Sequence, residues 1–475
     1  MNIATDAARR RPALPAVLAV VALGIAGCAS VSAERGFAEV RQAARERLGQ
    51  EVRWARSDAE RAAADARVAE LLARPLTADA AVQVALLNNR GLQAAFEQLG
   101  ITEVEAVQAT RLPNPGFSIG RFRQGDEVEI ERSVHLNLAR LLAAPWVAEL
   151  ESRRVAQARR GAVLEVLALA ADARKAQVQA VAAEETARYL RQVQDAADAG
   201  AELARRMAAV GNFTKLQRLR EQGFYADATL NLARAEQARI ASRERLARVL
   251  GLWGAQTAFT LPERLPALPA QADELPEVER TAIAQRLDVQ AARLGAEQTA
   301  RNLGLTKATR FVNVLELARE HNSSNEGPRQ TGWEIGFELP LFDWGDARVA
   351  RAEGVYRQSL DRAAETAVNA RSEVREAYAA YRSAWDIAKH HRDELVPLRQ
   401  RIAEENVLRY NGMFIGVFEL LADARAQIAG VNASIEALRD FWLARAELDM
   451  ALLGPTRLTP MAGPAAAAAE AGGGH

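Results

Sequence analysis

Few side chains in this sequence could do chemistry, and they do not combine into a site. The 475 residues include five histidines and one cysteine. His390 and His391 are adjacent, but neighbouring positions on a helix point about 100° apart, so the two are poorly placed to chelate one metal ion. The sequence also lacks a phosphate-binding glycine loop, a nucleophile elbow and a cysteine pair. We therefore predict that the protein is not an enzyme and has no metal or cofactor site.

Two carboxylates near the C-terminal end have a spacing that could matter for ions. Glu419 and Asp423 are four residues apart, so they share one face of a helix. A solvated helix surface is the ordinary interpretation of such a pair. The functional interpretation is a ring of carboxylates that forms when copies of this face meet around one axis and line a cation pathway. Both interpretations stay open from the sequence.

The single cysteine, Cys28, is explained by the residues before it. They are a basic segment, an apolar run and two small residues, namely Arg9 to Arg11, Leu14 to Ile25, and Ala26-Gly27. This order is typical of an export signal. Ile25-Ala26-Gly27-Cys28 is also similar to a bacterial lipobox, which predicts a signal peptide at residues 1–27 and lipidation of Cys28. A plain signal peptide with an incidental cysteine is the alternative.

The longest patterned stretch of the sequence, which must position the candidate residues, runs from Trp333 to Asn411. Apolar residues alternate with Glu and Gly from Trp333 to Leu339, which is the pattern of a two-faced strand. After a turn at 343–345, small apolar residues follow at spacings of four and three, which indicates a helix packed against another helix. This run would be a rod on the order of 100 Å long, and we expect Pro397 to bend it.

The same plan occurs about 201 residues earlier, so the chain is a duplication. Two hairpins are predicted, the first with arms at 117–122 and 128–138, and the second with strands at 311–318 and 333–342 separated by a polar loop. Helices are predicted at 31–72, 77–111, 145–210 and 214–250, with a corresponding set in the second half. Gly211 and Gly412 mark breaks at the far ends of the long helices.

This plan predicts a mainly α protein with a small β part and long coiled-coil helices. Its divisions are a signal peptide at 1–27, a lipidated helical segment at 28–75, a first repeat at 76–251, a Pro-rich linker at 252–275, a second repeat at 276–454 and a disordered tail at 455–475. Lys+Arg and Asp+Glu balance at 61 each, which argues against nucleic-acid binding.

The number of strands bears on how the protein could cross a membrane. Outside the signal, the sequence has no apolar run long enough to span a bilayer as a helix. Each chain offers four predicted strands, whereas closed membrane barrels begin at about eight. Copies of the chain would therefore have to pool their strands, and three copies would supply about twelve.

Three sequence motifs resemble a known family, the TolC-type outer-membrane efflux channels. They are Leu76-Thr77 with Ala85-Leu86-Leu87-Asn88-Asn89, then Leu339-Pro340-Leu341-Phe342-Asp343-Trp344-Gly345, and then Arg409-Tyr410-Asn411-Gly412 with Glu419-Leu420-Leu421. The resemblance implies a homotrimer whose strands form an outer-membrane β-barrel and whose helices continue it as a periplasmic tunnel. It implies a passive exit duct for small molecules or metal ions, with a periplasmic adaptor and an inner-membrane pump as partners.

The resemblance also gives the candidate residues a place. Gly211 and Gly412 would lie at the periplasmic mouth of the tunnel, and Glu419 and Asp423 would form an acidic gate beside it. Two other classes remain: a coiled-coil envelope lipoprotein that acts as a spacer without a pore, and a periplasmic adaptor. The spacer does not need duplicated strand pairs, and the adaptor would have one helical hairpin instead of two.

Overall fold

The computed structural model describes residues 34–311 and 314–456. The predicted signal peptide at 1–27, Cys28 and all but the first two residues of the predicted tail at 455–475 lie outside these ranges. The chain forms two compact units. One combines Gly100–Val155 with Val312–Leu339, and the other combines Phe37–Leu99, Ala156–Phe311 and the residues from Pro340 onward.

The first unit contains a four-stranded antiparallel sheet in the order β1-β2-β3-β4. Its strands are β1 (Gly116–Gln124), β2 (Glu127–Asn137), β3 (Leu315–Ser324) and β4 (Gln330–Phe337). The first hairpin confirms the sequence prediction. The β2–β3 pairing joins the hairpins of the two repeats, with Val134 opposite Arg319 and Leu136 opposite Leu317.

The second hairpin differs from the prediction. The sequence predicted a strand at 311–318 and a polar loop at 319–331, but β3 continues to Ser324 and only 325–329 separate the strands. The polar residues 319–324 pair along their whole length with β2. They supply backbone partners and a polar face, so they need no apolar side chains. At the other end β4 stops at Phe337, ahead of Pro340, which lacks an N–H donor.

Long helices dominate the rest of the chain. In order, they are α1 (Glu34–Leu48), α2 (Asp58–Leu72), α3 (Ala78–Asn88), α4 (Arg90–Thr110), α5 (Leu138–Ala209), α6 (Lys215–Leu250), α7 (Val278–Gln285), α8 (Leu287–Ala308), α9 (Asp346–His390), α10 (Val396–Asn411) and α11 (Val417–Ala451). The predicted return helices after both breaks are confirmed. The prediction that α5 starts at Pro145 is wrong, because Asn137 accepts the Arg140 N–H at 2.8 Å and starts the helix at Leu138.

Three predicted helices are each two helices. The segment 31–72 divides between α1 and α2, because Gly49 has φ of 64° and Ser57 forms a capping box with Glu60. The segment 77–111 divides at Asn89, and its counterpart in the second repeat divides at Arg286. The two divisions have nearly the same backbone angles, φ −68° and ψ 118° at Asn89 and φ −65° and ψ 126° at Arg286. The duplication therefore extends to this joint.

Each joint is held against the end of a return helix, but the chemistry differs between the repeats. In the first, the Asn88 amide donates to the carbonyl oxygen of Gly251 at 2.7 Å and the Asn89 amide donates to that of Val249 at 2.9 Å. Gly251 has φ of 70°, and a side chain there would meet the Asn88 carbonyl oxygen at 3.0 Å. In the second repeat, the Arg286 guanidinium donates to the carbonyl oxygen of Ala451 at 3.2 Å.

The segment with Pro397 is continuous but not a simple α-helix. A π-helical turn, His391–Leu395, separates α9 from α10, and Pro397 falls in the first turn of α10. The Val396 N–H bonds to the His391 carbonyl five residues back, so the hydrogen-bond ladder is already shifted where Pro397, which has no N–H, enters the helix. The π-helical turn thus accommodates the proline within a continuous helical segment.

The prolines at 262–276 predict an extended segment, and residues 258–277 contain neither helix nor strand. The segment is nevertheless firmly held. Indole N–H groups of Trp442 and Trp385 donate to the carbonyl oxygens of Pro266 and Pro269, at 3.0 and 3.2 Å. Leu265 and Leu268 are buried. Its carbonyl groups thus find donors on α9 and α11 instead of in a sheet.

Candidate functional site: an acidic sheet face and two helix-hairpin ends

The two faces of the sheet differ sharply in chemistry. The register places six glutamates on one face: Glu127, Glu129, Glu131, Glu316, Glu320 and Glu334. Small and polar residues and one aromatic residue, Phe122, share this face with them. Among the residues of the four strands, no lysine or arginine stands on this face. We call it the acidic face. Glu334 lies opposite Ala318 and Glu320 opposite Gly332, so these two carboxyl groups are diagonal neighbours on the acidic face.

The other face is apolar and uncovered. It presents aromatic and aliphatic side chains whose exposed fractions are large for such residues, including 65% for Phe117 and 68% for Trp333. The arginines of the strands stand on this side as well. Arg319 stacks over the Trp333 ring at 4.8 Å, and Arg132 donates to the Ser323 hydroxyl at 3.3 Å. That bond gives a role to Arg132, the one polar residue that interrupts the apolar alternation of β2.

The structure has turns between long antiparallel helices at both Gly211 and Gly412. Gly211 has φ of 81°, and Thr214 then caps α6 with a box completed by Gln217. In the second turn the left-handed residue is Met413, with φ of 61°, and not Gly412. Met413 and Phe414 are 92% and 84% exposed, so this end presents two large apolar side chains to its surroundings.

The structure gives the two predicted gate carboxylates different surroundings. Glu419 is exposed in the first turn of α11. Asp423 is half-buried, and its carboxylate accepts a hydrogen bond from the Asn406 amide on α10. One oxygen of Asp423 therefore holds the hairpin together, and Glu419 is the more available charge.

A third acidic residue near this end was not predicted from the sequence. Glu221 on α6 has a side chain only 3% exposed and pairs with Arg425 on α11 at 2.7 Å. The Arg425 guanidinium also lies 4.4 Å from the centre of the Phe224 ring. The two charged residues are 204 positions apart, and no local pattern links them. This ion pair connects the return helices of the two repeats.

Loss of Arg425 should weaken that connection. Arg425→Gln would leave the Glu221 carboxylate buried without its cation, at a cost of about 1–3 kcal/mol. We expect faster hydrogen exchange of backbone amides around Glu221 and Arg425, measured by mass spectrometry of the detergent-solubilised protein. Arg409→Gln is the control, since Arg409 pairs with Glu405 on an exposed surface. Equal exchange in the two variants would contradict a structural role for the Glu221–Arg425 pair.

The chain is similar to known proteins in its fold but not closely in its sequence. No family model and no curated protein sequence matches the chain. Solved structures do match. A membrane protein from Pseudomonas aeruginosa has a TM-score of 0.68 at 20% identity, covering 82% of this chain and 92% of its own. The outer-membrane protein VceC from Vibrio cholerae has a TM-score of 0.66 at 15% identity, covering 82% and 96%.

A third match is the outer-membrane channel MtrE of Neisseria gonorrhoeae in its open state, with a TM-score of 0.65, 19% identity, and 82% and 89% coverage. The chain has the fold of the outer-membrane channels. The resemblance drawn from the three motifs is thus confirmed for the fold, and the mainly α architecture with one small sheet is confirmed with it.

Residues 34–311 and 314–456 include no helix that is both long and apolar enough to cross a membrane. In the same part of the chain, no three His, Cys, Asp or Glu side chains are grouped so that they could hold a metal ion.

Proposed function

We propose that this protein is the outer-membrane channel of a tripartite efflux system, a passive exit duct for small molecules or metal ions. The observation that carries the proposal is the sheet, which has an uncovered apolar face, an acidic face and unpaired edges on β1 and β4. Open edges are not tolerated in lipid, so three copies would join edge to edge into a barrel of about twelve strands. The apolar face would meet lipid and the acidic face would line the water-filled lumen.

The helices support the same assembly. The apolar seam of α9 is buried within one chain only from Ala370 onward, whereas Leu360 remains 45% exposed. Val368 and Ile387, on other sides of the helix, are 67% and 52% exposed. Large apolar side chains at such exposure are covered when neighbouring copies pack side by side. We propose that these contacts form the periplasmic α-helical tunnel of a homotrimer.

The hairpin ends are the proposed contact with a periplasmic adaptor, which would connect the duct to an inner-membrane pump. Val210, Met413 and Phe414 are exposed apolar side chains at these ends. Glu419, with Asp423 behind it, would add a ring of negative charge when three copies meet. The same proposal includes the division of the chain into a lipidated segment, two repeats and a linker.

Cys28 would add a lipid anchor in the outer membrane. Its support is the Ile25-Ala26-Gly27-Cys28 sequence alone. Intact-mass measurement of the mature protein should give a chain that begins at an acylated Cys28, and an unmodified cysteine would contradict the anchor. The barrel does not depend on that result.

The assembly is tested by purifying the mature protein in detergent and measuring its mass by light scattering and its conductance in planar bilayers. We expect a trimer and discrete single-channel currents. The alternative is a coiled-coil envelope lipoprotein that acts as a spacer. A trimer without conductance would favour the spacer, and a stable monomer or dimer would contradict the pooled barrel.

A further inference from the structure

The first repeat binds an extended segment of its own chain. Residues Glu51–Arg56, here called the strap, lie between α1 and α2 and pass over α3 and α4. The Gln83 side chain bonds both backbone groups of Glu51, accepting from its N–H at 3.0 Å and donating to its carbonyl at 2.8 Å. Gln93 repeats this at the other end, accepting from the Ala55 N–H and donating to the Arg53 carbonyl. Two glutamine amides thus replace the neighbouring strand that an extended backbone requires.

The strap also covers an apolar floor. Val52 is 1% exposed and belongs to one cluster with Leu86, Leu92 and Phe96, which are at most 4% exposed. The strap therefore contributes both backbone hydrogen bonds and one buried side chain. Together these are the elements by which proteins bind extended peptides.

The second repeat has the corresponding groove, and no segment of residues 34–311 or 314–456 lies in it as the strap does in the first. The shift of about 197 residues matches five positions of the first groove with five of the second. The pairs are Gln83 with Arg280, Leu86 with Ile283, Leu92 with Val289, Gln93 with Gln290, and Phe96 with Arg293. The five residues of the second groove, with Arg371 of α9, line an open cavity of about 670 Å³ between α7, α8 and α9. Ile283 and Val289 are only half-buried, whereas Leu86 and Leu92 are buried under the strap. The Gln290 amide, with no strap to bond, donates to the Ala284 carbonyl at 3.0 Å.

The substitutions between the two grooves change their charge. Arginine replaces Gln83 and Phe96, and Arg371 stands where the first repeat has Ala170. Arg280 and Arg293 have exposed partners, Glu277 at 2.9 Å and Glu297 at 3.5 Å, while Arg371 has no ion-pair partner in the described ranges. Among the residues that line the cavity Glu279 is the one acid, and it faces Arg375 at 3.5 Å. The lining, with three arginines and one glutamate, is therefore basic around an apolar floor.

We propose that this second groove binds an extended, acidic peptide segment of a partner protein, in the way that the first groove binds the strap. An apolar side chain of the segment would lie on Ile283 and Val289, as Val52 does on its own floor. Carboxylates on either side would meet Arg280, Arg293 and Arg371. The groove, its occupied counterpart and its charge carry this inference, which does not rest on the proposed channel function.

The test uses two fluorescein-labelled peptides and the full-length protein in detergent. One has the sequence of residues 50–57, and the other has the same sequence with Arg53→Glu and Arg56→Glu. Fluorescence anisotropy should show the acidic peptide binding at least about tenfold more tightly than the basic one, a difference of about 1.4 kcal/mol. Val289→Trp, which fills the floor, should weaken the acidic peptide about tenfold or more. Arg371→Glu should reverse the preference between the peptides.

Arg362→Glu is the matched control, because Arg362 is also exposed on α9 but lies outside the groove. It should leave both affinities unchanged. The proposal is overturned if neither peptide binds, or if Val289→Trp and Arg362→Glu act alike. It is also overturned if deleting residues 457–475 is needed for binding, since the occupant is then the chain's own tail. Binding only to dissociated monomer would identify a second copy as the occupant.

Discussion

Arg286→Ala should lower the free energy of unfolding by about 3–5 kcal/mol, because it would leave two largely buried carboxylates, 16% and 20% exposed, without their cation. The Arg286 side chain is 1% exposed and pairs with Asp288 and Glu373 at 2.7 and 2.8 Å. It also donates to the Ala451 carbonyl. One guanidinium thus joins α8, α9 and the end of α11.

Thermal unfolding of the purified protein, followed by circular dichroism at 222 nm, measures the effect. Arg280→Ala is the control, because Arg280 is 79% exposed and lies on the same short segment of chain. We expect its effect to stay within about 0.5 kcal/mol. If both variants melt together, the Arg286 ion pairs do not hold the joint between α7 and α8.

Neutralising the acidic face should lower the cation preference of the channel by roughly tenfold. An ion roughly 10 Å from one carboxylate gains about 0.4 kcal/mol in water before salt screening, which removes more than half of it. Glu131→Gln, Glu320→Gln and Glu334→Gln together remove nine charges from a trimer, so the sum exceeds about 1 kcal/mol. Reversal potentials in a potassium chloride gradient across planar bilayers give the change in the permeability ratio.

Two comparisons locate the effect. Asp126→Asn with Glu326→Gln removes charge from the two hairpin turns and should change the ratio little, because these residues lie outside the paired face. Glu419→Gln with Asp423→Asn tests the proposed gate ring separately. If the gate variant changes selectivity and the sheet variant does not, the acidic face does not line the pathway. If both variants remain trimers and their reversal potentials equal those of the unmodified protein, neither set of carboxylates lines the pore.

The parts of this structure that follow a regular period were predictable. Alternation in β2 and the heptad spacing of α9 placed a strand and a long helix correctly, because each period reports the face that is covered. Residues 319–324 were predicted as a loop because they are polar. Their pairing with β2 depends on a strand from the other repeat, and no local pattern records that partner.

The joints and ion pairs were not predictable for a related reason. Asn89 and Arg286 divide helices whose apolar spacing continues through them, and only the contact with a distant helix end explains the break. Glu221 and Arg425 are two among many charged residues on helix surfaces. Their burial depends on how α6 and α11 meet, whereas Gly211 and Gly412 were visible because glycine marks turns by itself.

The unlike chemistry of the two joints has a consequence for folding. A duplicated chain contains two similar helix ends and two similar joints, so each joint could dock on the wrong end while the chain collapses. With Arg286 at the end of α6, the guanidinium would keep Asp288, which is part of the same joint, but would lose Glu373 of α9. With Asn89 at the end of α11, Glu373 would lack its cation. Either exchange loses the Arg286–Glu373 ion pair, and breaking a largely buried pair is strongly destabilising. The correct pairing of the repeats is thereby favoured.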